Sequence, residues 1–167
     1  MKYFLFLFFL ITTRSVFSQT DSSQLSPQAV YLEIGGPGGY GSMNYEYGVF
    51  NKKRFTLALR AGLSTYHIRD YRNRLNPDFQ IPLLLEAWYG TTHKLEAGFG
   101  QTVSAIVHAT ISENKAQRKF ETSSVFSIGY RYQKNAGGFL FRVAYTPVLE
   151  FNRYLKNWAG ISIGYVF

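Results

Sequence analysis

The sequence contains no cysteine, and this absence excludes a disulfide framework, a thiol nucleophile and a lipid anchor attached through cysteine. No apolar run reaches the ~20 residues that a membrane-spanning helix needs, and the mean hydropathy is only −0.12. The 10 acidic residues and three histidines are scattered, without the spacing of metal ligands. We therefore expect neither a helical membrane protein nor a bound metal or other cofactor.

Aromatic residues, by contrast, make up 18% of the chain, and glycines number 15. The longest apolar run, Tyr3 to Ile11, follows Lys2 and precedes a cleavage-site sequence at residues 16–18, which is the order of a secretory signal peptide. A short membrane anchor is the alternative, but this run is too short to cross a ~30 Å hydrocarbon core. We predict a cleaved signal peptide over 1–18, a short periplasmic segment over 19–27 and one domain over 28–167.

Apolar and polar residues alternate with a period of two along eight segments, which cover residues 28–36, 39–48, 54–64, 80–90, 94–108, 123–133, 138–147 and 157–167. Each segment is close to the ~9 to 11 residues that a tilted transmembrane strand needs. An even number of strands returns both termini to the periplasmic side. The pattern predicts an all-β fold, an eight-stranded antiparallel up-and-down transmembrane β-barrel over residues 28–167.

One parity of each segment is apolar and often aromatic, whereas the other is polar or glycine. A soluble lipocalin-like barrel is the alternative, but it needs polar side chains outside and an apolar cavity within. In such a barrel, this sequence would bury its charged side chains in an apolar pocket and expose its aromatic side chains to water. We therefore assign the polar parity to the interior: Glu33, Asn44, Glu46, Thr56, Arg60, Gln80, Glu86, Glu96, Thr102, Ser127, Arg131, Arg142, Thr146 and Ser162.

The last strand carries Ile161, Ile163, Tyr165 and Phe167 on one face, so an aromatic residue ends the apolar face. This pattern resembles the C-terminal assembly signal of bacterial outer-membrane barrels, with Ile163, Tyr165 and Phe167 at its positions. The connections fit as well, because short links near residues 51–53, 91–93 and 133–137 alternate with long ones over 65–79, 109–122 and 148–156. Aromatic residues gather near the short links and predict a periplasmic girdle.

With its Gly-rich first hairpin and Asn44-Tyr45-Glu46-Tyr47, the chain resembles the small eight-stranded outer-membrane proteins of the OmpA and OmpX type. It looks in particular like uncharacterised barrels of Bacteroidetes-type bacteria. The resemblance implies an integral, monomeric protein of the Gram-negative outer membrane, in contact with outer-membrane lipid and lipopolysaccharide. It also implies insertion by the barrel assembly machinery.

The strongest constellation of charged residues is the inward set of Glu33, Glu46, Arg60, Glu86, Glu96, Arg131 and Arg142. Glu86 and Glu96 flank one short link, and Arg131 and Arg142 flank another, so each hairpin sets like charges side by side and closure must bring the two pairs together. A gated polar path is one interpretation of this set. We favour a structural plug, because eight strands leave an interior just wide enough for side chains.

A lipid A acyl hydrolase or transferase is the enzymatic alternative, and it needs a histidine with a serine and a carboxylate near the outer leaflet. His108 is followed by Ser112 and Glu113, but Thr110 stands where the deacylases have the serine of a His-x-Ser pair. His67 falls in a loop and His93 in a periplasmic turn, and neither has an evident nucleophile. We therefore predict no catalytic residue.

Removal of Lys2 and Arg14 with the signal peptide leaves 16 basic and 10 acidic residues, a net charge of +6. These cations are dispersed and form no long patch, which disfavours nucleic acid as a partner. Eight of them lie in the external connections, and seven of these could contact lipopolysaccharide phosphates and sugars: Arg69, Arg72, Arg74, Arg118, Lys119, Arg153 and Lys156. The sequence thus favours a structural or surface-interaction role, with a lipid A enzyme and a narrow channel as alternatives.

Overall fold

The computed structural model describes residues 27–65, 67–69, 74–110, 115–149 and 154–167. Within those ranges the strands are β1 Gln28–Gly35, β2 Gly41–Lys52, β3 Phe55–Ser64, β4 Phe79–Gly90, β5 His93–Thr110, β6 Lys115–Gln133, β7 Gly138–Tyr145, β8 Val148–Leu149, β9 Leu155–Lys156 and β10 Ala159–Val166. A 3-10 turn at Gly36–Gly38 follows β1, and no helix of these ranges has the length and apolar character to cross a membrane. The predicted signal peptide, 1–18, and all of the segment 19–27 except Pro27 lie outside the described residues.

Eight of these strands close into a barrel. Their order around the ring is β5, β4, β3, β2, β1, β10, β7, β6, and β6 pairs back with β5. Every pairing is antiparallel. At the seam between the first and last strands, the Phe167 amide donates to the Gln28 carbonyl at 2.9 Å and the Gln28 amide donates back at 3.2 Å. The predicted all-β, eight-stranded antiparallel fold is therefore confirmed.

The two faces of the barrel wall follow the alternation in the sequence. Leu32 and Ile163 are paired across the seam and both point outward, whereas the next pair, Glu33 and Ser162, is buried inside. All fourteen residues that the alternation assigns to the interior are buried. The outer face presents large apolar side chains along every barrel strand, for example Met43, Leu59, Leu83, Leu95, Ile128, Phe139 and Ile163.

The ends of the barrel differ in their connections. At one end, the short-turn end, β2–β3, β4–β5 and β6–β7 are joined by tight links, and exposed aromatic side chains surround it: Tyr45, Phe50, Phe55, Tyr89, Tyr130, Phe139, Tyr165 and Phe167. At the opposite end, the long-loop end, the longer connections leave the barrel. The girdle of aromatic residues expected near the short links is thus present on the outer surface of the barrel.

The fifth and sixth strands project beyond the other strands at the long-loop end. Their pairing continues to Thr110 and Lys115, whereas β4 begins opposite Ala105 at Phe79. Five further residues in each of the two strands extend the hairpin by about 17 Å. The prediction of a long loop over 109–122 is therefore wrong. Residues 115–122 are polar on one parity, and the other parity mixes apolar with polar residues, so the period-two signal is weak.

Candidate functional site: the lumen and its mouth

The seven charged residues assigned to the lumen form one connected set of ion pairs, called the charge network below. Each member is at most 2% exposed. Arg131 on β6 donates from Nη1 and Nη2 to the two carboxylate oxygens of Glu46 on β2, at 2.7 and 2.6 Å. Because β2 and β6 occupy opposite positions in the ring of eight strands, this bidentate pair crosses the full width of the lumen.

Two carboxylates join the three guanidinium groups to one another. Arg142 donates Nη2 to both oxygens of Glu86, at 3.0 and 3.1 Å, and Nε to both oxygens of Glu96, at 3.0 and 3.1 Å. Arg131 donates Nε to Glu96 at 2.6 Å, and Arg60 donates Nη1 to Glu86 at 3.0 Å. Nη2 of Arg60 also donates to Glu33. Charge-assisted bonds of this kind are strong where water is excluded.

Two aromatic rings inside the barrel pack against the guanidinium groups. Cζ of Arg131 lies 4.0 Å from the centroid of the Trp88 ring, and Cζ of Arg142 lies 4.8 Å from that of Tyr31. Nζ of Lys94 lies 5.9 Å from the Trp88 ring. Cations over ring faces are attracted by the ring quadrupole. Sequence reasoning missed these contacts: the parity of Tyr31, Trp88 and Lys94 points inward, but parity does not show which side chain each will meet.

The register of the hairpins corrects one expectation about the charges. Arg131 lies directly opposite Arg142, as the short link between them suggested. Glu96, however, lies opposite Trp88, so Glu86 and Glu96 are offset by two positions along their strands and do not sit side by side. The offset lets the Arg142 guanidinium reach both carboxylates.

The glycine-rich turn after β1 folds into the barrel and closes the lumen above the charge network; we call it the plug, residues Gly36–Gly38. All three plug residues are buried. The Thr102 hydroxyl on β5, across the ring from β1, donates to the Pro37 carbonyl at 2.9 Å, and the Ser64 hydroxyl donates to the Gly38 carbonyl. The sequence indicated a Gly-rich first hairpin here, but the insertion of its turn into the lumen was not foreseen.

Glycine is required where the plug meets the charge network. Gly36 has a φ of +76°, and a Cβ at this position would lie 2.5 to 2.7 Å from the carboxylate atoms of Glu33. That carboxylate also receives bonds from the Ser162 hydroxyl at 3.2 Å and from Ser42 at 3.4 Å. The plug therefore sits directly on the outermost carboxylate of the network.

Above the plug lies the mouth cavity, a space of about 610 Å³ at the long-loop end. Its floor includes Gly36, Pro37 and Gly39, and Gln80, Ser104 and Trp158 contribute to its walls. A second cavity of about 400 Å³ occupies the short-turn end beside Lys94. The charge network and the plug separate the two.

Hydrogen bonds and a cation–π contact join the loop between β3 and β4 to the projecting hairpin. The Asp78 carboxylate accepts a hydrogen bond from the Val107 amide at 2.9 Å and contacts His67 Nδ1 at 3.2 Å. Arg118 Nη2 donates to the Pro77 carbonyl at 2.9 Å, and its Cζ lies 5.6 Å from the Phe79 ring. Arg118 therefore already has a structural contact.

The other proposed lipopolysaccharide contacts are distributed over the long-loop end. Arg69, Arg74, Lys119 and Lys156 are exposed, and Lys156 also lines the mouth cavity. Arg72 and Arg153 lie outside the described residues. Arg69 forms a backbone bridge with Leu75, the neighbour of Arg74, and Arg118 contacts Asn76 and Pro77 of the same loop.

Two of the three histidines have side-chain contacts in the described ranges. His93 Nδ1 pairs with the Tyr130 hydroxyl at 2.6 Å at the short-turn end, and His67 is the partner of Asp78. His108 lies on the projecting part of β5, and Ser112 and Glu113 fall outside the described residues. No group of three or more His, Asp or Glu side chains that could hold a metal ion occurs in the described part of the chain.

Comparisons with known proteins identify the fold. No family model and no curated protein matches the sequence. The N-terminal β-barrel domain of Pseudomonas aeruginosa OprF is similar with a TM-score of 0.59 and 15% identity, over 87% of this chain and 100% of that domain. Ail of Yersinia pestis, solved with the heparin analogue sucrose octasulfate, is similar with a TM-score of 0.58 and 11% identity, over 85% and 97%. A nanodisc structure of the same outer membrane protein has a TM-score of 0.53 and 8% identity, over 85% and 99%.

Proposed function

We propose that this protein is an integral outer-membrane barrel that conducts no solutes and acts through its external surface, in a structural or surface-interaction role without catalysis. The apolar outer face and the girdle of aromatic residues around the short-turn end suit a barrel in lipid. The short-turn end then lies in the periplasm. The likeness in fold to Ail, an outer membrane protein of Yersinia pestis, supports the same location. The resemblance to Bacteroidetes-type barrels stays a prediction.

The observation that carries the proposal is the blocked lumen. The Arg131–Glu46 pair spans the ring, and the plug covers the network. In planar bilayers we expect no stable single-channel steps from the purified protein. Reproducible steps would instead support the narrow channel.

External cations offer a means of surface interaction with lipopolysaccharide phosphates. One similar barrel, Ail, was solved with an anionic sugar analogue. We expect purified lipopolysaccharide to bind the protein in zwitterionic micelles with an affinity that falls as salt rises. Changing Arg69, Arg74 and Lys119 to Ala should weaken binding, whereas changing Lys52, Arg54 and Lys134 at the opposite end should not. Equal losses in both triple variants would contradict a specific external site.

The enzymatic alternative has a direct test. Lipid A from cells with and without the protein should give the same mass spectrum. A change of one acyl chain that disappears in His108→Ala would replace the proposal with a lipid A hydrolase or transferase.

Assembly through the last strand is also a proposal. Ile163, Tyr165 and Phe167 face outward, and the Phe167 backbone closes the seam with Gln28. We expect Phe167→Asp to lower the amount of heat-modifiable barrel in the outer membrane, because recognition by the assembly machinery requires the aromatic terminus. A normal amount would contradict this role.

A further inference from the structure

Lys94 of β5 is a buried cation that stands outside the charge network. It is 5% exposed and lies directly opposite Arg131 in the register of β5 and β6. The two cations also share the Trp88 ring, because Nζ of Lys94 lies 5.9 Å and Cζ of Arg131 lies 4.0 Å from its centroid. Like charges directly opposite each other on one face of a sheet are destabilising. A negative charge beside Lys94 would therefore be favourable.

Arg131 has its counter-charges within the network, whereas Lys94 has none of its own. Glu46 and Glu96 each lie 2.6 Å from a nitrogen atom of Arg131. Within the described part of the chain, no carboxylate forms an ion pair with the Lys94 ammonium, and no acceptor receives a hydrogen bond from it. Burial of a charged group without a partner is costly. The ammonium is thus a donor available to a bound molecule.

The Lys94 ammonium opens onto the cavity of about 400 Å³ at the short-turn end, called the short-turn cavity below. It is not among the unpaired atoms that have less than 1 Å² of accessible surface. Gln133 lines the same cavity and is 3% exposed. Its Oε1 accepts from Arg131 Nη1 at 2.9 Å, which leaves Nε2 as a second accessible donor. A molecule in this cavity can reach both donors.

The lining of the short-turn cavity defines the class of ligand. Its charged side chains are Lys53 and Lys94, it includes three amide side chains, and no Asp or Glu is among its described residues. The terminal carboxylate of Phe167, which also lines it, forms no ion pair with either lysine. Ammonium and amide donors together suit the oxygen atoms of phosphates and carboxylates. The volume falls within the ~300 to 1,000 Å³ of small-molecule sites.

We propose that the short-turn cavity binds a small oxyanion, a phosphate or carboxylate group, whose oxygen atoms accept hydrogen bonds from Lys94 Nζ and Gln133 Nε2. The group belongs to a soluble anion or to the headgroup of a phospholipid. This inference goes beyond the proposed function, because it concerns the interior at the end opposite the external loops. It can be tested in detergent micelles, where neither location nor orientation matters.

The test follows the fluorescence of Trp88, which lies beside Lys94, in a Trp158→Phe variant that contains no other tryptophan. The folded protein in a phosphate-free detergent is titrated with inorganic phosphate and with acetate, and chloride at the same ionic strength is the control. We expect a saturable change with phosphate or acetate that chloride does not produce. Isothermal titration calorimetry then compares the variants, because a change at Lys94 also alters the surroundings of Trp88.

Lys94→Met removes the ammonium and should weaken oxyanion binding by about ten- to hundredfold. Lys94→Arg keeps a cation and should retain most of the affinity. Lys134→Met is the matched control, because Lys134 is exposed at the same end and does not line the cavity. It should bind the oxyanion as the parent does.

The source of the oxyanion is distinguished by a further titration with dihexanoylphosphatidylglycerol below its micellar concentration. Tighter binding of this lipid than of inorganic phosphate identifies a headgroup, and the reverse identifies a soluble anion. Three results would overturn the proposal: no saturable binding of phosphate, acetate or the lipid, an equal response to chloride, or unchanged affinity in Lys94→Met when circular dichroism shows it folded.

Discussion

The lumen below the plug and the mouth cavity above it are built from the same eight strands but differ in chemistry. Below the plug, guanidinium and carboxylate groups are at most 2% exposed and bind one another across the ring. Above it, hydroxyl, amide and aromatic side chains line a space of about 610 Å³. The lower lumen is thus filled by paired charges, whereas the mouth of the barrel is open.

The largest effect should come from breaking the pair that crosses the lower lumen. Arg131 is the only ion-pair partner of Glu46 among the described residues, so Arg131→Ala leaves a buried carboxylate unpaired. We expect the free energy of unfolding by urea in micelles to fall by about 3–5 kcal/mol. Arg142→Ala should have a smaller effect, because Glu86 and Glu96 keep Arg60 and Arg131.

The Arg131–Glu46 pair also offers a control variant in which no buried charge is left without a partner. Replacing Arg131 by Met and Glu46 by Leu together removes both charges. The double variant should recover much of the lost stability, because apolar replacement of a whole buried pair is often neutral. If the double variant is as unstable as Arg131→Ala, the loss does not come from an unpaired carboxylate.

The next effect concerns the boundary between the two regions. Gly36→Ala forces a side chain into the left-handed conformation and against the Glu33 carboxylate. We expect a loss of about 1–3 kcal/mol in the same urea experiment. Gly41→Ala is the control, since the nearest atom to its added Cβ lies 3.7 Å away and its φ is not in the left-handed region. Similar losses of stability in both variants would argue against close packing of the plug on the Glu33 carboxylate.

A smaller effect should follow from removing the tether of the plug. Thr102→Val deletes the hydroxyl that donates to the Pro37 carbonyl and should lower the unfolding free energy by about 0.5–1.5 kcal/mol. Thr146 is equally buried, but its hydroxyl has no partner within the described part of the chain. Thr146→Val should therefore be neutral or stabilising. If it lowers the unfolding free energy as much as Thr102→Val does, the hydrogen bond from Thr102 to Pro37 does not stabilise the plug.

The smallest effect should come from a cation outside both regions. Arg74 is exposed on the long-loop side, and exposed ion pairs contribute only ~0–1 kcal/mol. Arg74→Ala should accordingly unfold at nearly the same urea concentration as the parent. A loss as large as that of Arg131→Ala would mean that the loops, and not the lower lumen, stabilise the barrel.

The sequence predicted the barrel because its strands alternate between lipid-type and interior residues with a period of two. It also placed Arg131 and Glu46 inside. It did not predict that the two would bind each other, because parity fixes a direction and not a position around the ring. The insertion of the plug depends on Thr102 and Ser64, which lie far from Gly36–Gly38 in the chain. In the projecting part of β6, residues 115–122, Arg118 interrupts the parity that carries Ala116 and Phe120, so the period-two signal there was too weak to predict a strand.

The most direct test of a sealed boundary between the two regions uses the absence of native cysteine. Ser104 lines the mouth cavity above the plug, whereas Ser162 contacts Glu33 below it. In the folded barrel, a small water-soluble methanethiosulfonate should modify the Ser104→Cys variant, and it should modify the Ser162→Cys variant only after unfolding. Modification of both variants at the same rate in the folded state would contradict the separation of the lower lumen from the mouth cavity.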